Sequence, residues 1–230
     1  MLLVCMLILS LAACPNTLAE ASGDALEWWQ KTSVYEVYVN SFQDTDGNGY
    51  GDIQGVTRHL DHLKSLGVGA IWLTPVFVSP MEDNGYDVAD YYTINPLYGS
   101  NEDMDTLIEE AGQRGIRIVM DLVYNHTSDQ HEWFRESMQS RDNAYSDWYI
   151  RRDGKPDGVD GMSDVHAMTV NTPGILDFLH EFRQQVQDGT DIFTVGEANG
   201  VGPDDLSDWV GSDGVFDMIF SFDHLVDGDN

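Results

Sequence analysis

Basic side chains are scarce in this sequence: 11 Lys and Arg stand against 40 Asp and Glu, a formal net charge of −29 over 230 residues. Nucleic acid and anionic membrane surfaces recruit basic patches, so the deficit argues against both as partners. Self-repulsion on this scale disfavours a compact state in dilute buffer and is relieved by screening salt. Two readings follow, a protein of a saline habitat or an ordinary acidic soluble protein. Long apolar runs are also missing. Met1 to Ala13 is the one extended stretch, and it falls short of the roughly 20 residues that span a bilayer as a helix. Cysteine is limited to Cys5 and Cys14. No repeat of fixed period is present, and the only low-complexity segment is the small polar stretch Asn16 to Asp24.

Leu11-Ala12-Ala13-Cys14 resembles a bacterial lipobox, in which cleavage leaves the cysteine as a lipidated amino terminus; an ordinary signal peptide is the alternative. The expected organisation is a lipoprotein-type signal peptide at 1–13, lipid on Cys14, a tether over 14–27 and an extracytoplasmic body, lipid-anchored or secreted. Cys5 leaves with the signal and Cys14 carries lipid, so no disulfide is expected although the compartment permits one.

What is present is an alternation of strand-like and helix-like segments. Val34 to Phe42 is rich in strand-favouring residues. Val56, Leu60, Leu63 and Leu66 recur at helical spacing before Gly67, and Ala70 to Leu73 reads as a second strand ended by Pro75. Ser100 with Asp103 resembles a capping box ahead of Met104, Leu107, Ile108 and Ala111, one apolar helix face. After Gly115, the run Ile116, Ile118, Val119, Leu122, Val123 predicts a strand buried on both faces. Thr172 and Pro173 open a helix with Ile175, Leu179, Phe182 and Val186 on one side; Ile192 to Val195 and Val215 to Phe220 read as two more strands. Such alternation implies an α/β fold with a parallel sheet, and does not by itself separate a barrel from an open sheet.

Four stretches carry chemistry. At the end of the strand after Gly115, composition turns abruptly to Asp121, Tyr124, Asn125 and His126, and polar groups at strand carboxyl ends are where α/β folds hold ligands; a strand running into a solvated loop is the plain alternative. Asp44-Thr-Asp-Gly-Asn-Gly-Tyr-Gly-Asp52 alternates acidic or amide oxygens with glycines, as a hard cation requires, although Gly55 stands where an EF-hand loop has its closing Glu; a polar turn is the alternative. Ser79 to Asp87 contains Asn-Gly-Tyr-Asp, on its own a turn signal. Glu197 follows a short apolar strand, where a carboxyl serves as a general acid or simply as a surface charge.

Together these stretches resemble the α-amylase family of glycoside hydrolases, nearest its oligo-1,6-glucosidase and α-glucosidase branch. Asp121-Leu-Val-Tyr-Asn-His126 with the following Thr-Ser is similar to the family's first conserved region, Asp83-Asn-Gly-Tyr-Asp87 to its sugar-gripping turn, and Thr194-Val-Gly-Glu197 to its third region. The resemblance covers about Trp28 to Asn230. It implies a (β/α)₈ barrel, incomplete here, as a catalytic body at 28–230 with a reduced domain B at about 125–157. It also implies calcium, or magnesium, on Asp44, Asp46, Asn48, Asp52 and the Tyr50 carbonyl. Asp83, Tyr86, Asp121 and His126 are implied to hold the terminal glucose of an α-glucan oligosaccharide. Glu197 is implied as the general acid.

A retaining mechanism needs a second carboxylate. Gly158-Val-Asp-Gly-Met-Ser-Asp164-Val165 resembles the family's second region with one residue missing and its Arg absent, and Asp164 is the candidate nucleophile. A one-residue loss in a strand reverses the face that later side chains occupy. Several tens of family residues are also missing between Tyr149 and Gly158, and the chain stops before the family's fourth region, as expected for an internally shortened and C-terminally truncated member. Three readings therefore stand: a retaining α-glucosidase, a catalytically silent amylase-like module that binds sugar or a partner, and a non-functional gene fragment.

Overall fold

The computed structural model describes residues 26–149, 174–198, 200–211 and 213–220. In chain order the elements are β1 (Ser33–Val37), α1 (Val39–Phe42), α2 (Ile53–Arg58), α3 (Leu60–Ser65), β2 (Val68–Leu73), β3 (Phe77–Val78), β4 (Asp90–Ile94), α4 (Asn101–Gln113), β5 (Arg117–Met120) and α5 (Glu132–Ser137). After the undescribed stretch come α6 (Ile175–Phe182), β6 (Val195–Glu197), α7 (Leu206–Trp209) and β7 (Met218–Phe220). β1, β2 and β5 form a parallel sheet in that order, β6 and β7 pair in parallel, and β3 with β4 makes an antiparallel ribbon. Parallel neighbours joined through helices are what the strand–helix alternation predicts.

Register gives the sheet two chemically distinct faces. Val37, Leu73 and Met120 share one row, and Ile71 pairs with Ile118 in another; these side chains pack on Ile53, Val56, Leu60, Leu63, Met104, Leu107 and Ala111 from the helices. Fully burying each aliphatic side chain contributes about 1.5–3 kcal/mol. The opposite face carries Val34, Ala70 and Arg117 in one row and Glu36, Trp72 and Val119 in the next. Phe220 and Glu197 pair across β6 and β7, and the Phe220 ring stacks on Trp72 at 5.9 Å. The β6–β7 pair therefore faces the same space as the inner row of the three-stranded sheet. Behind it, Ala198, Val201 and Trp209 form a second core with Ile175, Leu179, Phe216 and Ile219. At the amino ends of the strands, Arg117 lies 4.3 Å over Trp28 and 2.6 Å from Asp191, while Trp29 stacks on Phe193 at 5.0 Å.

Several local expectations are corrected. The first strand ends at Val37, and Val39–Phe42 turns helical, because the Asn40 carbonyl accepts from Gly51 N–H and folds the glycine-rich loop back under it. The following helix breaks at His59, whose Nδ1 meets the Gly55 carbonyl at 2.9 Å, and Leu66 lies exposed beyond α3. The capping box at Ser100 and Asp103 is present, but Ile108 is half exposed. β5 is not buried on both faces: Ile118 and Val119 are half-buried and Leu122 is exposed, because only its helix side meets a packed core. α6 has Gly174, in left-handed conformation, at its N-cap; Thr172 and Pro173 lie outside the described residues. The π-helical turn Arg183–Gln187 adds a residue to the helical period, and Val186 is exposed there. β6 and β7 start later than Ile192 and Val215, at Val195 and Met218.

Candidate active site

The carboxyl ends of β5 and β6 and the turn between β3 and β4 converge. Asp121 follows the last residue of β5 and is half-buried. The Tyr86 phenol donates to its Oδ2 at 3.2 Å, and the Trp72 indole also donates to this carboxylate. His126 Nε2 lies 2.9 Å from the Tyr86 carbonyl. Desolvation pushes the Asp121 carboxyl above its ordinary value; the Tyr86 and Trp72 donors oppose the shift, and the negative charges of Glu197 and Glu36 add to it. The Tyr86 phenol is pushed up to about 12, first by burial and then by the Asp121 charge. Glu197, at the end of β6 and exposed, raises both groups slightly through its charge.

Asp87, not singled out from the sequence as a site residue, organises the turn. Its Oδ1 accepts from Ser79 Oγ at 2.6 Å and from Asp83 N–H at 3.3 Å, and its Oδ2 from Glu82 N–H at 3.0 Å. Burial raises this carboxyl, but the donors outweigh it and hold it below the usual range. Asn84 takes positive φ, and its side-chain oxygen accepts from the Tyr38 hydroxyl. Asp83 lies on this turn with an exposed side chain, tied to the cluster through its backbone, whose carbonyl accepts from Tyr86 N–H.

Beyond His126, the Tyr91 hydroxyl sits between the carbonyls of Val123 and His126, at 2.5 and 2.8 Å, and pins the loop after β5. Tyr91 stacks on Trp133, which meets Trp148 edge-on at 4.9 Å. These rings help line a cavity of about 330 Å³ that also reaches His126. The aromatic wall escaped the sequence reading because Trp133 and Trp148 belong to no spaced pattern with Tyr91; their proximity is tertiary.

In the glycine-rich loop, Asp44, Asp46 and Asp52 each offer a carboxylate oxygen, all within 4.8 Å of one another. Asp44 accepts from Gly47 N–H at 2.7 Å and Gly49 N–H at 2.9 Å, and these bonds, the Gly49 one foremost, lower its carboxyl below the ordinary value. Gly47 and Gly49 both have positive φ, which lets the backbone wrap around the side chains. Asn48 donates from its amide to Asp46 and accepts from Tyr50 N–H. Asp52, nearly fully buried, takes Thr45 on one oxygen and on the other caps α2 through Gly55 N–H at 2.7 Å. Three converging carboxylates with only oxygen donors fit a hard divalent cation. Of the remaining site expectations, Asp164 and Cys14 lie outside the described residues.

Parallel strands gather a carboxylate, a phenol and an imidazole at their carboxyl ends, with the exposed Glu197 carboxylate acting on the first two through its charge. That end is where α/β proteins bind their ligands. The profile of the alpha-amylase catalytic domain matches residues 36–162, and the chain belongs to that family. An oligo-1,6-glucosidase of Heyndrickxia coagulans is 57% identical over 133 residues, covering 58% of this chain and 24% of that protein. An α-glucosidase of Pediococcus pentosaceus is 36% identical over 281 aligned positions, covering 87% of this chain and 50% of its own length. The solved trehalose-6-phosphate hydrolase of Bacillus licheniformis superposes with a TM-score of 0.77 at 31% identity, over 87% of this chain and 50% of that one. The chain thus spans about half, or less, of the relatives it matches. The 281 aligned positions exceed the 230 residues present, so that relative carries internal segments with no counterpart here.

Proposed function

We propose that this protein is a retaining glycoside hydrolase acting on α-glucosidic bonds of glucan oligosaccharides. The observation that carries the reading is the Asp121–Tyr86–His126 cluster, with Glu197 in its field, at the carboxyl ends of the strands. In this reading the chain is an incomplete (β/α)₈ barrel with a reduced domain B at about 125–157. The terminal glucose is held by Asp83, Tyr86, Asp121 and His126. Asp164 attacks the anomeric carbon and forms a glycosyl ester, while Glu197 gives its proton to the departing glycosidic oxygen. Water then attacks the same carbon with Glu197 as base, restoring both carboxyls with net retention. Calcium, or magnesium, is held by Asp44, Asp46, Asp52, Asn48 and the Tyr50 carbonyl and supplies structural charge neutralisation. The body is extracytoplasmic, held by lipid on Cys14 or secreted.

Purified protein is expected to hydrolyse isomaltose, maltose or a nitrophenyl α-glucoside, and Glu197→Gln to abolish the reaction; no turnover of any of the three overturns the reading. A second reading, a sugar-binding module without turnover, is favoured by the internal segments that the chain lacks relative to the Pediococcus enzyme. Glucose binding in the absence of hydrolysis would support it.

A further inference from the structure

We propose that the aromatic cavity beside His126 is a second carbohydrate site, which holds a neutral segment of an α-glucan chain next to the cluster that takes the terminal glucose. The choice of glucan rests on the α-glucosidase reading; the site itself rests on the cavity's own geometry. At about 330 Å³, it lies at the lower end of the range, roughly 300–1,000 Å³, of pockets that hold small ligands. Three parts of the fold build it: Tyr91 and Tyr92 from β4, Asn125 from the loop after β5, and Trp133 with Trp148 from α5 and the turn Ser146–Trp148.

The wall is fixed by its own contacts. The Val123 and His126 carbonyls hold the Tyr91 hydroxyl, the Tyr91 ring stacks on Trp133 at 5.9 Å, and the His131 ring backs Trp133 at 4.2 Å. His131 Nδ1 also accepts from the Trp133 N–H, capping the start of α5. Trp148 stands steeply against Trp133, at 4.9 Å, and against Tyr145, at 5.0 Å. Rings already held in place lose little freedom when a ligand meets them. A single exposed ring is ordinary. Here Trp148 and Tyr124 are each 58% exposed and Tyr92 80%, all three around one cavity, and a patch of that kind marks a binding surface.

Charge and hydrogen bonding identify the occupant. Among the described residues that line the cavity, none carries a carboxylate, an ammonium or a guanidinium, although the chain has 40 acidic residues. That lining favours a neutral ligand. The Asn125 amide, the Tyr92 and Tyr124 hydroxyls and the Trp148 indole N–H make no hydrogen bond to any described residue. Ring faces beside unspent donors and acceptors suit a molecule with C–H surfaces and many hydroxyls, which is a sugar, and suit a purely apolar ligand poorly. His126 lines the cavity while its Nε2 meets the Tyr86 carbonyl within the cluster, so the two sites adjoin.

The test titrates maltotriose and isomaltotriose into the full chain carrying Glu197→Gln, which keeps the sugar intact. It follows the indole N–H resonance of Trp148, identified by its loss in Trp148→Phe. A saturable displacement by at least one of the sugars is expected, persisting when Asp121→Asn is added. Tyr124→Ala is expected to weaken the apparent Kd about tenfold, the loss of one aromatic contact; if that variant does not fold, Asn125→Ala carries the comparison. No displacement by either sugar, a displacement lost with Asp121→Asn, or an unchanged Kd in the variant overturns the proposal. A Trp148 signal that moves with protein concentration and not with sugar assigns the face to a second copy of the chain, and overturns it as well. Hydrolysis of a nitrophenyl α-glucoside by the parent decides the catalytic reading separately. Turnover without a Trp148 response loses the second site alone; a Trp148 response without turnover loses the catalytic reading alone.

Discussion

Tyr86 and Asp121, 35 residues apart in the chain, meet through a phenol-to-carboxylate hydrogen bond of 3.2 Å. The bond holds the turn after β3 against the end of β5, and both groups are partly withdrawn from water. Tyr86→Phe is expected to destabilise the fold by about 1 kcal/mol, the net worth of such a bond. It is also expected to raise the Asp121 midpoint further, since a donor to the charged form is lost. Urea unfolding and carboxyl NMR check the two halves separately.

Asp121 itself gives a pH signature. Its carboxyl is raised, chiefly by desolvation. A raised carboxyl contributes stability that is fully present below its unfolded pKa and lost as pH rises through the folded value. Asp121→Asn is therefore expected to melt above the parent at about pH 7 and to lose that advantage near about pH 3, where the unfolded carboxyl is protonated as well. Melting curves at the two pH values decide it; the same offset at both would be inconsistent with the shift.

The loop carboxylates predict a calcium response. With ligand at about a hundred times its Kd, the native state gains about 2.7 kcal/mol, so added calcium is expected to raise Tm and chelation to lower it. Asp46→Ala is expected to erase the difference. A parent protein that melts identically with chelator and with excess calcium would remove the ion from the loop.

Helix α4 supplies an internal contrast. Leu107 is completely buried and Ile108 is 49% exposed. Leu107→Ala is expected to cost about 2–5 kcal/mol, Ile108→Ala within about 0.5 kcal/mol. Ser100→Ala, which removes the N-cap, falls between them at about 1 kcal/mol. Denaturant midpoints rank the three.

Net charge predicts salt dependence. With a formal charge of −29, Tm is expected to climb between dilute buffer and molar salt as self-repulsion is screened. A flat response assigns the protein to the ordinary acidic class.

Legibility in the sequence followed the range of the interactions. The capping box at Ser100 and Asp103 is a contact three residues long, and it forms as written. Asp121, Tyr86 and His126 were readable because each sits in a motif, and the structure joins them. Ile108 and Leu66 fit apolar helical patterns, yet both are exposed; periodicity cannot say how wide the covering surface is. Asp87 was not singled out because its role depends on a folded turn, which leaves no spacing in the chain. The later start of β6 reflects Phe193 packing against Trp28 and Trp29 instead of entering the strand.

The contacts of Arg117 carry a kinetic consequence. Its ion pair with Asp191 is exposed, 45% and 73% for the two side chains, and is worth at most about 1 kcal/mol. Yet that pair and the neighbouring rings tie the start of β5 and the segment before β1 to the segment before β6, with Arg117 and Asp191 separated by 74 positions in the chain. Loops of that length close late and at an entropic cost. The three-stranded sheet closes over shorter separations, Ser33 to Val68 and Ala70 to Arg117, so it is expected to form before Phe193 packs on the two tryptophans, an order their fluorescence during refolding would report.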